Sequence, residues 1–193
     1  NILSDEIYEL ILKKEFKHLS LASLAPDLKE RIFIINGFAK GWAMTGWRVG
    51  YLVGQKDVIK ASSALQSQST SNVCSFVQRG ALEALKINQE FFLKINSHYD
   101  LRREALYKGL KNIEGLFLYP PDGAFYAFPR LPNNSITSVE FCKKILNDYG
   151  LVVVPGKPFG DDQCFRISCA SSKEKILDGL SRLEKAISNY YFK

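Results

Sequence analysis

Lys40 and Arg48 are the only charged residues in the window NGFAKGWAMTGWRVGY, residues 36–51, which also holds both tryptophans and the single methionine of the chain. No Asp or Glu occurs from Arg31 to Lys56. A lysine set among Gly41, Trp42, Ala43 and Met44 loses solvation, which disfavours its ammonium form and frees the amine for attack on a carbonyl, the chemistry of a Schiff base. Small residues on both sides let a planar ring approach the backbone, and the guanidinium of Arg48 offers a fixed fork of donors to a phosphate. The competing structural readings are a solvated surface lysine and an arginine in an ordinary interior ion pair. The second is weakened by the lack of local acids, and an acid-free window welcomes an anion.

Two further segments suit the same chemistry. In SDEIY, Asp5 offers a carboxylate able to hold a protonated pyridine nitrogen, and Tyr8 a hydroxyl able to bond a phenolate oxygen. Together with Lys40 and Arg48 they suit pyridoxal phosphate; taken singly, Asp5 reads as a helix cap and Tyr8 as a core aromatic. In CFRISC, strand alternation puts Cys164, Arg166 and Ser168 on one face and Phe165, Ile167 and Cys169 on the other. Arg166 then stands centrally in an otherwise uncharged strand, where an arginine requires an anion such as a substrate carboxylate.

The elements that must position these groups follow from periodicity. RIFIING and WRVGYLVG are short apolar runs closed by glycines, which suit buried strands, with Lys40 and Arg48 in and beside the connection between them. Helices are expected over about 56–68, from a cap at Ser71 or Asn72 with Val73, Phe76, Val77, Ala81, Ala84 and Leu85 at helical spacing, and over about 88–112, with Phe92, Ile95, Tyr99, Leu106, Leu110 and Ile113 on one stripe and Gly115 at its end. LFLYPPDGAFYAFPRL reads as two strands around a Pro-Asp-Gly turn, SITSVEFCKKILNDYG as a helix closed by Gly150, and GLVVVPG and QCFRISCA as strands. A capping box from Ser171 to Glu174 opens the last helix, which buries Ile176, Leu177, Leu180, Leu183 and Ile187. The fold class is α/β in two parts, the first with too few strands and helices to cover both faces of a sheet. The chain therefore reads as the C-terminal portion of something larger.

Composition removes several function classes. With 193 residues, 46% of them hydrophobic, the chain can bury a core, and no run reaches the length of a membrane span. The four cysteines lack Cys-x-x-Cys spacing and the two histidines stand far from them, so no metal site and no disulfide framework is expected. Scattered thiols of this kind belong to a reducing compartment, hence an intracellular, cytoplasmic location, with any organellar address written ahead of Asn1. The net charge of +6 is spread along helix-like segments without interleaved aromatics, which argues against nucleic acid.

The segments SDEIYE, NGFAKGWAMTGWRVGY, QSQSTSN, PDGAFYAFP, VVPGKPFG and FRISCA together resemble, in this order and spacing, the C-terminal half of a class I, fold-type I pyridoxal phosphate-dependent aminotransferase, closest to the bacterial and plastid-type aspartate aminotransferases. The resemblance covers essentially the whole chain. It implies that residues 1–87 are the C-terminal part of the cofactor-binding large domain, a mixed sheet with helices, and 88–193 a complete small α/β domain with its connecting helix. It implies that Lys40 forms the Schiff base with the cofactor and shuttles a proton, that Asp5 keeps the pyridine nitrogen protonated, that Tyr8 bonds the phenolate oxygen, that Arg48 clamps the phosphate, and that Arg166 takes the substrate α-carboxylate. The implied reaction moves an amino group between L-aspartate and 2-oxoglutarate, with prephenate/glutamate, alanine or aromatic transfer as the alternative.

Many relatives carry serine where this chain has Ala39, which removes one hydroxyl near the phosphate. The resemblance further implies a homodimer, with Ser62–Ser75 near the partner's site, and a missing N-terminal half of the site. A non-catalytic interaction module lacking that half is the reading from another class, and the chain by itself is expected to be inactive.

Overall fold

The computed structural model describes residues 1–192 and divides into two compact units, Asn1–Ile95 and the remainder from Asn96. In the first unit, strand β1 (Ile2–Asp5) lies parallel to β2 (Ile32–Gly37), and β2 pairs antiparallel with β3 (Gly50–Val53), giving a mixed sheet in the order β1-β2-β3. The glycine-closed apolar runs at 31–37 and 47–54 thus form strands, as their composition predicts, but only β2 is largely buried; β3, at the edge of the sheet, is mostly exposed. A short helix α1 (Leu21–Leu24) and a 3-10 turn, Pro26–Arg31, lead into β2.

Helix α2 (Lys56–Ser69) follows β3, and α3 (Ser75–Ala84) follows α2. The expected cap at Ser71 or Asn72 is displaced: Cys74 is the N-cap of α3. Ser71 has φ +61°, and its amide donates to Gln66 O at 3.0 Å, so this residue closes α2 instead of opening the next helix. Of the apolar residues read on α3, Val77, Ala81 and Ala84 are buried, whereas Phe76 and Leu85 are exposed. Ala81 and Ala84 pack with Phe38 beneath Trp42, Met44 and Val49, and Trp42 Nε1 donates to Ala84 O at 2.9 Å. This small cluster seats the connection that carries Lys40.

Helix α4 (Gln89–Lys111) runs on through the division between the units. Gly115, at φ +79°, follows its end. In the second unit, β4 (Tyr126–Ala127), β5 (Val154–Pro155) and β6 (Phe165–Ser168) make an antiparallel sheet in the order β4-β6-β5. Helix α5 (Ser138–Tyr149) opens on a capping box between Thr137 and Glu140 and closes on Gly150 at φ +61°. Helix α6 (Lys173–Tyr191) is capped by Ser172, one residue beyond the expected Ser171, and its Leu177 is exposed while Ile176, Leu180, Leu183 and Ile187 are buried. The core is formed around Phe141, Ile145, Phe165, Leu183 and Ile187, with Leu106 and Leu110 of α4.

The hairpin expected around Pro-Asp-Gly is reduced to a single bridge, Phe117 to Arg130. Tyr126 and Ala127 pair instead with Ser168 and Ile167 of β6, a partner distant in sequence. Sheet register across a long separation is a tertiary property that a local turn signal does not encode.

Candidate active site

Strand direction gathers the predicted groups of the first unit. Asp5 is the last residue of β1, Lys40 lies three residues past the end of β2, and Arg48 two residues before β3 begins. Since β1 and β2 are parallel and β3 runs against them, all three fall at the same edge of the sheet. Loops at the carboxyl ends of parallel strands are where such sheets present their chemistry.

The turn after β1 brings Tyr8 to the same place. Glu6 N donates to Ile35 O at 2.9 Å, extending the β1-β2 ladder by one bond, and the chain then turns, with Glu9 N donating to Glu6 O and Ile11 N to Tyr8 O, each at 2.9 Å. Asp5 Oδ1 accepts from Ile7 N at 3.2 Å, so the carboxylate stabilises this turn; no helix starts there for it to cap. Tyr8 is half-buried, and Lys40 Nζ lies 5.9 Å from its ring centroid. Lys40 is itself half-buried in the turn that ends β2.

The connection from Lys40 to β3 holds two non-glycine residues in the left-handed region, Ala43 at φ +54° and Arg48 at φ +53°. Each such residue costs about 1–2 kcal/mol, so the loop shape is held by its surroundings: Met44 N donates to Phe38 O at 3.2 Å, and Phe38 N to Val49 O at 3.3 Å. Arg48 is exposed, donates to Thr45 O at 3.0 Å through one terminal nitrogen, and pairs with no carboxylate among the described residues. Its guanidinium retains donors for an anion.

Arg166 belongs to the second unit, in β6, opposite Val154 of β5. Its guanidinium carbon is 4.3 Å from the Tyr126 ring centroid and 4.6 Å from that of Phe159. The strand face that it was expected to share with Cys164 and Ser168 is divided in character, since Cys164 is buried, Arg166 half-buried and Ser168 exposed.

One residue of this region carries no signal in the sequence. Glu6 is 6% exposed, and its carboxylate accepts from Ser4 Oγ at 3.1 Å, Ser20 Oγ at 3.0 Å and Leu21 N at 3.2 Å, and contacts His18 Nε2 at 3.0 Å. Burial alone would raise its pKa, but the bonds from His18, Leu21, Ser20 and Ser4 together hold it below the ordinary value. Glu6 thereby fastens residues 18–21 to the end of β1, between Asp5 and Tyr8. An acid with Glu9 and His18 near it also resembles a cation site, yet Ser4, Ser20 and Leu21 N all donate to its Oε1, and its Oε2 meets His18.

The fold, and an amine, a phenol, a carboxylate and a guanidinium on one sheet edge, define a family. A sequence profile of aminotransferase class I and II matches residues 1–183, and the chain belongs to this pyridoxal phosphate-dependent family. It is 40% identical to a probable aspartate/prephenate aminotransferase of Rickettsia felis, over 100% of this chain and 50% of that protein. It is 37% identical to an aspartate aminotransferase of Streptomyces avermitilis, over 97% of this chain and 48% of that one. Among solved structures, the aspartate aminotransferase from Rhizobium meliloti superposes with a TM-score of 0.89 at 36% identity, covering 96% of this chain and 49% of that chain. The chain spans about half the length of the relatives it matches.

The residues at the sheet edge fit the family's cofactor. A half-buried primary amine suits its aldehyde, the neighbouring phenol its ring oxygen, Asp5 its ring nitrogen, and the exposed guanidinium of Arg48 its phosphate. No helix of the described residues is long and apolar enough to cross a membrane.

Proposed function

We propose that this chain carries the lysine-bearing portion of an aminotransferase that exchanges an amino group between L-aspartate and 2-oxoglutarate. The observation that carries this reading is the approach of Lys40 Nζ to Tyr8, 5.9 Å from its ring, at the sheet edge that also bears Asp5 and Arg48. In this reading residues 1–87 belong to the cofactor-binding large domain and 88–193 to the small domain, and the whole protein works as a homodimer.

Pyridoxal phosphate, when bound, supplies an electron sink for the pair of electrons left on the substrate's α-carbon when its proton departs. The chain's own residues serve that chemistry. Lys40 would offer the amine that holds the cofactor's aldehyde, and the same side chain would take and return the substrate's α-proton. Asp5 would hold the pyridine nitrogen in its protonated form. Tyr8 would donate a hydrogen bond from its hydroxyl to the ring's phenolate oxygen, and the Arg48 guanidinium would hold the phosphate. Arg166 receives the α-carboxylate, for which a guanidinium fork is the matching shape.

The name aspartate/prephenate aminotransferase on the Rickettsia relative supports prephenate as a second acceptor. Borohydride reduction of the protein with pyridoxal phosphate, followed by peptide mass spectrometry, tests the cofactor role. The expected result is a pyridoxyl adduct concentrated on the peptide containing Lys40; an adduct spread evenly over the lysines would overturn the assignment. Amino transfer from aspartate to 2-oxoglutarate, against transfer from glutamate to prephenate, then ranks the substrates.

A further inference from the structure

Of the five arginines of the second unit, three pair with an acid and two, Arg102 and Arg166, lie against aromatic rings, Arg102 with its guanidinium carbon 5.8 Å from the Tyr99 ring centroid. Arg103, Arg130 and Arg182 each pair with an aspartate, Asp100, Asp161 and Asp178, at 2.6, 2.8 and 2.9 Å. Arg166 pairs with no carboxylate among the described residues, although Asp161 and Asp162 lie close by in sequence. What holds its guanidinium is aromatic: Tyr126 at 4.3 Å and Phe159 at 4.6 Å. A ring attracts a cation through its quadrupole but accepts none of its in-plane N–H bonds, so the charge and the donor fork stay available. A carboxylate in the same place would consume both.

We propose that Phe159 and Tyr126 are positioning residues that hold Arg166 ready for a carboxylate ligand, an inference that rests on the reading of Arg166 as the substrate's carboxylate receptor. An unsupported arginine samples many rotamers and loses that freedom on binding; one already stacked on two rings loses less.

The fold fixes both rings. Tyr126 stands in β4, opposite Ser168 of β6, two residues along from Arg166. Phe159 ends a 3-10 turn, Lys157–Phe159, that is fastened at several points. Gly156 N donates to Cys164 O at 2.8 Å and Phe159 N to Gly156 O at 2.7 Å. Lys157 N donates to the Oγ of Ser138, a fully buried residue whose hydroxyl donates to Asp162 Oδ1 at 2.5 Å. Any Cβ at Gly156 would collide with the carbonyl oxygens of Asp161 and Cys164, so the turn closes onto the strand as only glycine allows. The Phe159 ring also meets Phe128 edge-on at 6.0 Å. A half-exposed phenylalanine held this firmly is placed for its neighbour more than for the core.

The test follows the Arg166 Nε–Hε resonance of the whole chain by nitrogen-15 NMR, assigned by its loss in Arg166→Lys, while succinate is added as the carboxylate. Succinate is expected to shift that resonance, and Phe159→Leu and Tyr126→Leu each to weaken its binding about fivefold. Phe159→Tyr restores the affinity, which a merely structural role does not require. In the unsubstituted chain, the guanidinium of Arg166 is expected to rotate slowly about Nε–Cζ. Unchanged succinate affinity in the ring variants, or free rotation in the unsubstituted chain, overturns the positioning role and leaves the receptor reading standing. Absence of any succinate-induced shift at Arg166 overturns the receptor reading itself.

Discussion

Gly41 lies directly against Leu10: a Cβ on Gly41 would stand 2.8 Å from both Cβ and Cδ1 of the leucine. This approach presses the turn that carries Lys40 onto the turn that carries Tyr8. Gly41→Ala therefore forces the two turns apart, at an expected cost of about 1–3 kcal/mol. Thermal unfolding measures that loss, and slower formation of the pyridoxyl adduct on Lys40 reports the displaced amine. An unchanged melting temperature would show that Leu10 moves aside freely.

The Glu6 carboxylate makes stability depend on acid. Its folded pKa is lowered from 4.5, so its contribution is present above that value and is lost as pH falls through the lower folded value. Unfolding midpoints measured down an acid series are expected to fall more steeply in the native chain than in Glu6→Gln, which lacks this titration. Parallel slopes for the two proteins would contradict the linkage.

Arg103 is 3% exposed, donates to Asp100 at 2.6 Å and to Ala124 O at 2.5 Å, and so ties α4 to a residue held at φ +53°. Arg103→Ala leaves that carbonyl and the aspartate without their shared donor, at an expected cost of about 3 kcal/mol. Urea unfolding followed by circular dichroism gives the value directly.

The thiols should separate by reactivity. Burial pushes Cys142 up to about 11 and raises Cys169, and burial together with the Asp161 bond pushes Cys164 up to about 11, whereas Cys74 is exposed. A mildly alkaline alkylation is expected to modify Cys74 quickly and the other three only after denaturation. Fast modification of more than one site in the folded chain would refute the burial.

Several elements are legible because their cause is local. Gly37 and Gly54 end apolar runs that cannot be amphipathic helices, and these runs became β2 and β3 with little shift. Thr137 and Gly150 bracket α5 because a hydroxyl cap and a left-handed glycine act within one turn of the backbone. Ser71 and Ser171 misled for the same reason: a serine near a helix can cap it, end its predecessor or stand one position outside, and the sequence alone does not rank these uses. Phe76, Leu85 and Leu177 fit the apolar stripes of their helices yet are exposed, because periodicity assigns a face without saying what covers it.

The chemistry divides in the same way. The sequence by itself determined the kind of group available: an amine in an acid-free apolar window, a guanidinium eight residues on, a carboxylate beside a phenol, and a lone arginine in an uncharged strand. Those are properties of residue type and short spacing. Only the tertiary structure decided that β1 runs parallel to β2, which carries Asp5 and Tyr8 across some thirty residues to the edge where Lys40 stands. It alone buried Glu6 among His18, Ser20 and Leu21, and stacked Phe159 on Arg166. Pairing register and burial are cooperative outcomes of the whole packed chain, whereas the reactivity of a side chain is written in its own atoms.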